Sequence, residues 1–155
     1  MKSSSYFAAV LLLASVFSAY ACNSTHNSKA ANPPTSNPAA SLIGTEWLLR
    51  DIAGTPALDT PPATLTFPET GRAAGNASCN RFTGSVEITD NSLKFGPLAS
   101  TRMACMDNGV SGQEDRYLKA LGAANRYALE NGKLLLYCEG YAKPLRFSRS
   151  DAAKP

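Results

Sequence analysis

From Leu42 to Arg149, short apolar stretches alternate with clusters of turn-forming residues. EWLLRDI (46–52), ATLTF (63–67), GSVEI (84–88), SLKFG (92–96), RYALE (126–130), KLLLYC (133–138) and PLRFS (144–148) have the length and content of β-strands. Between them lie PETGR, TDNS, ENGK and EGYAK. Asn131-Gly132, set between two apolar runs, is a strong hairpin signal, because a type I′ turn needs positive φ at two successive residues. Asp90-Asn91 is a weaker signal of the same kind. Hairpins imply antiparallel neighbours.

One segment has helical spacing. Ser111-Gly112-Gln113-Glu114 matches a capping box, with serine and glutamate three apart. Tyr117, Leu118 and Leu121 follow on one face, with Ala120 and Ala124 filling in and Gly122 marking the end. So short a helix must gain its stability by packing on the sheet. The predicted fold is α+β but mainly β: a curved antiparallel sheet or partial barrel with one packed helix. No repeat of 20 to 50 residues is visible.

The first 41 residues follow a different pattern. Lys2 precedes an apolar run of 12 residues, Tyr6 to Phe17, and SAYAC follows it. Charge, apolar stretch and small-residue cleavage site are the parts of a secretory signal, assigned to residues 1–21. The run is too short to span a bilayer, which takes about 20 apolar residues. Cys22 directly after Ala19-Tyr20-Ala21 resembles a bacterial lipobox, although Ala19 replaces the common leucine and Tyr20 is bulky for its place. Lipidation of Cys22 is therefore expected, and through it a membrane anchor. Asn23 in place of aspartate points to the outer membrane, facing the periplasm; the alternative is a secreted or periplasmic soluble protein. Residues 22–41 are rich in Asn, Ser, Thr, Ala and Pro and read as a flexible tether. Residues 42–149 are the folded body and 150–155 a tail.

Composition narrows the function. Hydrophobic residues make up 44% of the 155 and charged residues 17%, enough apolar surface for a core. A net charge of +3 with scattered basic residues argues against nucleic acid. Arg116, Lys119 and Arg126 read as a solvated surface. The single histidine, His26, lies in the tether, so the body has none.

With Cys22 lipidated, Cys79, Cys105 and Cys138 are left in a compartment where disulfides persist. Three pairings are possible. Cys79 with Cys105 is preferred, because both follow small residues in turn-rich segments, whereas Cys138 shares a strand face with Leu134 and Leu136 and reads as a small buried hydrophobe. The bridge closes a loop of 26 residues. On the chain-entropy model that is worth roughly 3.5 kcal/mol, a sizeable part of a typical net stability of about 5–15 kcal/mol.

Chemistry finds little support. A catalytic thiol needs a base, and the body lacks histidine. There is no G-x-S-x-G. Carboxylates such as Glu46, Asp51, Glu69, Glu87 and Asp107 carry no pattern. Met103, Cys105 and Met106 are soft ligands suited to Cu(I), but a bridged Cys105 removes the best of them, and methionines beside a core cysteine are usually packing. The absence of C-x-x-C argues against structural zinc. No metal, cofactor or enzymatic activity is expected.

The body resembles the META domain, the HslJ-like group of bacterial envelope proteins. Trp47 and Leu48 are similar to its opening strand, and Leu65, Phe67, Gly71 and Arg72 to its first hairpin. Gly75, Cys79, Asn80, Phe82 and Gly84 resemble its G-C-N core. Leu98, Thr101, Arg102, Met103, Ala104 and Cys105 resemble its T-R-M-A-C segment. Glu114, Tyr117, Leu118 and Leu121 resemble its helix, and Leu134, Leu136, Leu145 and Phe147 its closing strands. Ser78 stands where the family commonly has glycine, and Cys138 lies outside the pattern.

The resemblance implies structural roles. Gly75 and Gly84 would allow turning or close approach of the backbone, and Asn80 would tolerate positive φ and bond its own backbone. Thr101 and Arg102 would fix the crossing that brings Cys105 to Cys79. It also implies an envelope protein linked to heat shock and to resistance to the drug novobiocin. A non-enzymatic monomer acting on an unknown protein or small-molecule partner is expected. The alternative is a lipid-anchored inhibitor of a lysozyme or protease, with Tyr141 of EGYAK as an aromatic anchor.

Overall fold

A computed structural model describes residues 41–105 and 109–150. The strands are β1 (Thr45–Ile52), β2 (Thr55–Pro56), β3 (Thr64–Glu69), β4 (Arg72–Asn76), β5 (Arg81–Thr89), β6 (Ser92–Ser100), β7 (Ala124–Glu130), β8 (Lys133–Cys138) and β9 (Leu145–Arg149), with α1 (Val110–Gly122) between β6 and β7. All pairings are antiparallel, in the order β1-β3-β4-β5-β6-β7-β8-β9, and β9 returns to pair with β1 through Trp47↔Arg149 and Leu49↔Phe147. The sheet is thus a closed eight-stranded barrel, with β2 a short flap on the end of β1. Closure removes the free edges that an open sheet would expose.

Period-two alternation sets what points inward. Trp47, Leu49, Leu65, Phe67, Phe82, Val86, Leu93, Tyr127, Leu134, Leu136, Leu145 and Phe147 form one buried cluster. Register shifts between Leu49 and Asp51, Gly84 and Val86, and Ala124 and Arg126 bend the strands where the barrel turns. The hairpin at Asn131-Gly132 has positive φ at both residues, 50° and 72°, as its sequence requires.

Strand β4 was not expected. RAAGN has little β propensity, and its pairing is dictated by its neighbours. A Cβ on Gly75 would overlap the Thr64 carbonyl oxygen and the Phe82 ring, and one on Gly84 would meet Leu98 and the Pro97 carbonyl at 2.7 Å. Glycine is needed there for close approach.

The helix connects two strands that share only a short ladder. Strands β6 and β7 share one register pair, Ser92↔Arg126, and α1 packs against β6, β1 and β8. Tyr117 projects into the barrel. Its ring meets Phe82 edge-on at 5.8 Å and lies 6.2 Å from Phe147, while its hydroxyl donates to the Thr64 carbonyl at 3.1 Å.

The capping box does not form. The N-cap is Gly109, at φ 78°, with no side-chain cap, and Gln113 N–H closes the first turn on the Gly109 carbonyl at 2.9 Å. Ser111 is exposed, and Glu114 is turned away from the helix end. Gly122 ends the helix without positive φ; the Ala123 N–H bonds back to Ala120.

Cys138 is a free, buried thiol, and burial pushes it from 9.0 up to about 11. Burial also raises Tyr117 well above 10.0 and raises Tyr127, the latter with help from the Asp90 charge. These groups are harder to ionise folded than unfolded, so their contribution is complete below the unfolded values and is lost as pH rises. Urea midpoints are expected to fall once the pH passes about 9, and more steeply above about 10; a flat profile from about pH 8 to 10.5 would contradict this burial. Gly75→Ala is expected to cost about 1–3 kcal/mol by overpacking, measured by the same titration.

Candidate functional site

The stretch between β4 and β5 is a tight corner. Asn76 pairs with Arg81, and the Ala77 N–H donates to the Asn80 carbonyl at 2.8 Å. Ser78 takes φ 88°, a conformation that favours glycine. Its hydroxyl, buried, accepts from Gln113 Nε2 at 2.5 Å. Serine's strain is thus offset by a bond that glycine could not make. Asn80 does not take positive φ as expected; the neighbouring Ser78 already turns the chain.

The Asn80 side chain reaches outward to other segments instead. Its Oδ1 accepts from the Thr101 hydroxyl and the Met103 N–H, both at 2.8 Å. Its Nδ2 donates to Glu114 Oε2 at 3.2 Å and lies 3.6 Å from Cys105 Sγ. The Asn80 main-chain N–H donates to the same Glu114 oxygen at 3.0 Å. Thr101 adds an exchange with Arg81, whose N–H donates to its hydroxyl at 3.2 Å. Gln113 accepts from the Leu58 N–H at 2.7 Å, tying the β2–β3 connection to the helix.

Cys79 and Cys105 are bridged, with Cα atoms 5.8 Å apart. The bridge lies beside Asn80, Thr101 and Glu114. Together with Ser100, Arg102, Met103, Ala104, Ser111 and Asp115, Asn80, Thr101, Cys105 and Glu114 line a depression of about 530 Å³. Met103 is 59% exposed at its rim, and Arg102 and Asp115 are exposed charges of opposite sign.

The other residues singled out lie elsewhere. Gly75, Phe82 and Gly84 are on β4 and β5 in the barrel wall. Trp47 is buried in β1, its indole donating to Thr45 Oγ1 at 2.7 Å, with the Arg149 guanidinium 5.7 Å from its ring. Tyr141 is half-buried against the core in the β8–β9 connection. Cys22, His26, Met106 and Asp107 fall outside the described residues.

Sequence reasoning missed Gln113 and the true role of Glu114. Helical spacing places both near the first turn, and a local cap is the nearest partner a one-dimensional reading can offer. The available signal was burial: a glutamine four residues and a glutamate three residues before Tyr117 fall on its face of the helix.

Glu114→Ala leaves two buried N–H groups of Asn80 without their acceptor and is expected to cost about 1–3 kcal/mol. Ser111→Ala, which would remove a cap if one existed, is expected to stay within about 0.5 kcal/mol. Urea unfolding of both variants under oxidising conditions discriminates: a larger loss for Ser111→Ala would restore the capping box.

The META domain family model matches residues 40–152. A protein from Burkholderia xenovorans, solved by NMR, is 32% identical with a TM-score of 0.59, and the match covers 81% of this chain and 97% of that one. A second NMR structure, 23% identical with a TM-score of 0.61 over 75% and 97% of the two chains, shares the fold. No curated protein matches significantly. Thr101 holds the T-R-M-A-C segment to Asn80, whereas Arg102, expected to help fix that crossing, stands exposed. With the family model matching most of the chain, the chain belongs to the META-domain family.

Proposed function

We propose that this META-domain protein is a non-enzymatic lipoprotein of the cell envelope, anchored through Cys22, that supports envelope stress or drug tolerance by binding. The observation that carries the binding role is the clamped T-R-M-A-C segment. A disulfide and the Asn80 bonds hold it rigid while Arg102 and Met103 stand exposed at the rim of the depression. An exposed cation beside an exposed, adaptable thioether, on a backbone that loses little freedom on association, suits recognition of an amphipathic partner.

The non-enzymatic part rests on side-chain chemistry. The only histidine is His26, outside the body. Cys79 and Cys105 are consumed in the bridge, and the Cys138 thiol is buried and hard to ionise. The inhibitor alternative relies on Tyr141 as a protruding anchor, whereas that ring packs against the core, so binding at the Arg102 rim is the reading carried forward.

Two measurements test this. Intact mass of membrane-extracted protein is expected to show added acyl mass on Cys22, and Cys22→Ser should move the chain from the outer-membrane to the soluble fraction. In a strain lacking the gene, a chain carrying Arg102→Ala and Met103→Ala should keep its far-UV spectrum but fail to restore tolerance to heat or novobiocin. An unacylated native protein would end the anchor, and full rescue by the double variant would end the proposed binding surface.

A further inference from the structure

Glu114 is a buried carboxylate, 9% exposed, that makes no ion pair with any described residue. Buried carboxylates without a cation are costly unless something compensates them. Two amide N–H groups on Oε2 provide part of that compensation. The nearest chemistry is sulfur: the Sγ atoms of Cys79 and Cys105 and a Glu114 carboxylate oxygen all lie within 4.8 Å of one another. The three residues come from the corner, the T-R-M-A-C segment and the helix, and their spacing of 26 and 9 positions matches no linear metal motif.

We propose that reduction of the Cys79–Cys105 bridge converts this corner into a binding site for Zn²⁺, held by both thiolates and the Glu114 carboxylate. The step balances simply. A dithiol donor, whether a thiol–disulfide oxidoreductase or a small dithiol, passes two electrons and two protons to the bridge and becomes a disulfide. The cation then displaces one proton from each thiol. Two thiolates with one carboxylate suit Zn²⁺ better than Mg²⁺ or Ca²⁺, which prefer all-oxygen ligand sets. Three protein ligands leave a fourth tetrahedral position for water, supplied from the depression that Cys105 and Glu114 line.

The surroundings already have the form of an outer ligand shell. Asn80 Nδ2 donates toward both Cys105 Sγ and Glu114 Oε2, and such outer bonds orient metal ligands. They also keep the reduced cysteines adjacent, because the Thr101 and Met103 bonds to Asn80 Oδ1 hold the segment independently of sulfur. With Zn–S bonds near 2.3 Å, the sulfurs need to part only to about 3.7 Å in a tetrahedral site. In the oxidised chain the sulfurs carry no negative charge and offer no site, so binding reports the redox state. This inference depends on neither the anchor nor partner binding.

The test uses the full chain carrying Cys22→Ser, oxidised and phosphine-reduced, titrated with Zn²⁺ in competition with a chromophoric chelator, and with Co²⁺ read by thiolate charge-transfer absorption. One Zn²⁺ per reduced chain is expected, at least about a hundredfold tighter than in the oxidised chain. Glu114→Gln should weaken it by about tenfold or more, Cys79→Ser should abolish it, and Cys138→Ala should leave it unchanged. Equal affinity in both redox states, no loss in Glu114→Gln, or a dependence on Cys138 would overturn the proposal. Should Glu114→Gln not fold, the wild-type redox comparison and the Co²⁺ band decide. A reduced chain whose native far-UV spectrum is lost and not restored by Zn²⁺ would overturn it as well.

Discussion

Asn80 is the constraint on which the rest of the domain depends. Its amide and main-chain N–H bond Thr101 and Met103 of the T-R-M-A-C segment and Glu114 of α1. Those partners lie 21, 23 and 34 positions from Asn80, and a hydrophobic core alone would not fix their register to an ångström. An asparagine suits the task because one planar group accepts on one side and donates on the other. Satisfied, such a buried polar network specifies one arrangement; half-satisfied, it would cost more than an apolar substitute.

From this corner the packing follows. Fixing Glu114 against Asn80 sets the position and rotation of α1. Rotation places Tyr117, three residues on, among the buried residues of the barrel. The ring then fills the barrel between Phe82 and Phe147, and its hydroxyl finds the Thr64 carbonyl, so that a large polar-tipped side chain is buried without an orphan. The disulfide acts in the same place by another route, since it limits the unfolded chain. Covalent bridge and hydrogen-bond web thus reinforce each other at the end of the barrel where the polar depression opens, and the opposing charges of Arg102 and Asp115 stand on a rigid frame.

The same corner holds a serine in a conformation that favours glycine. Ser78 sits at positive φ, and Gln113, 35 positions away, supplies a compensating bond to its hydroxyl.

Much of this molecule was legible in one dimension. Strand-like length and content between turn clusters located seven of the strands, Asn131-Gly132 located a hairpin, and apolar spacing located the helix, because each signal is local and acts through the backbone. The Cys79–Cys105 pairing followed from turn-rich surroundings and the core-like setting of Cys138. What one dimension did not hold was decided by contacts between distant residues. Strand β4 exists because β3 and β5 flank an Ala/Gly segment that has no propensity of its own, and Gly75 is required by the Thr64 carbonyl and Phe82 ring pressing on it. Glu114 left its helix cap because two buried N–H groups of Asn80 needed an acceptor, and barrel closure came from β9 meeting β1 at the far end of the chain. Local propensity chose the elements; burial of polar groups, visible only in three dimensions, chose how they join.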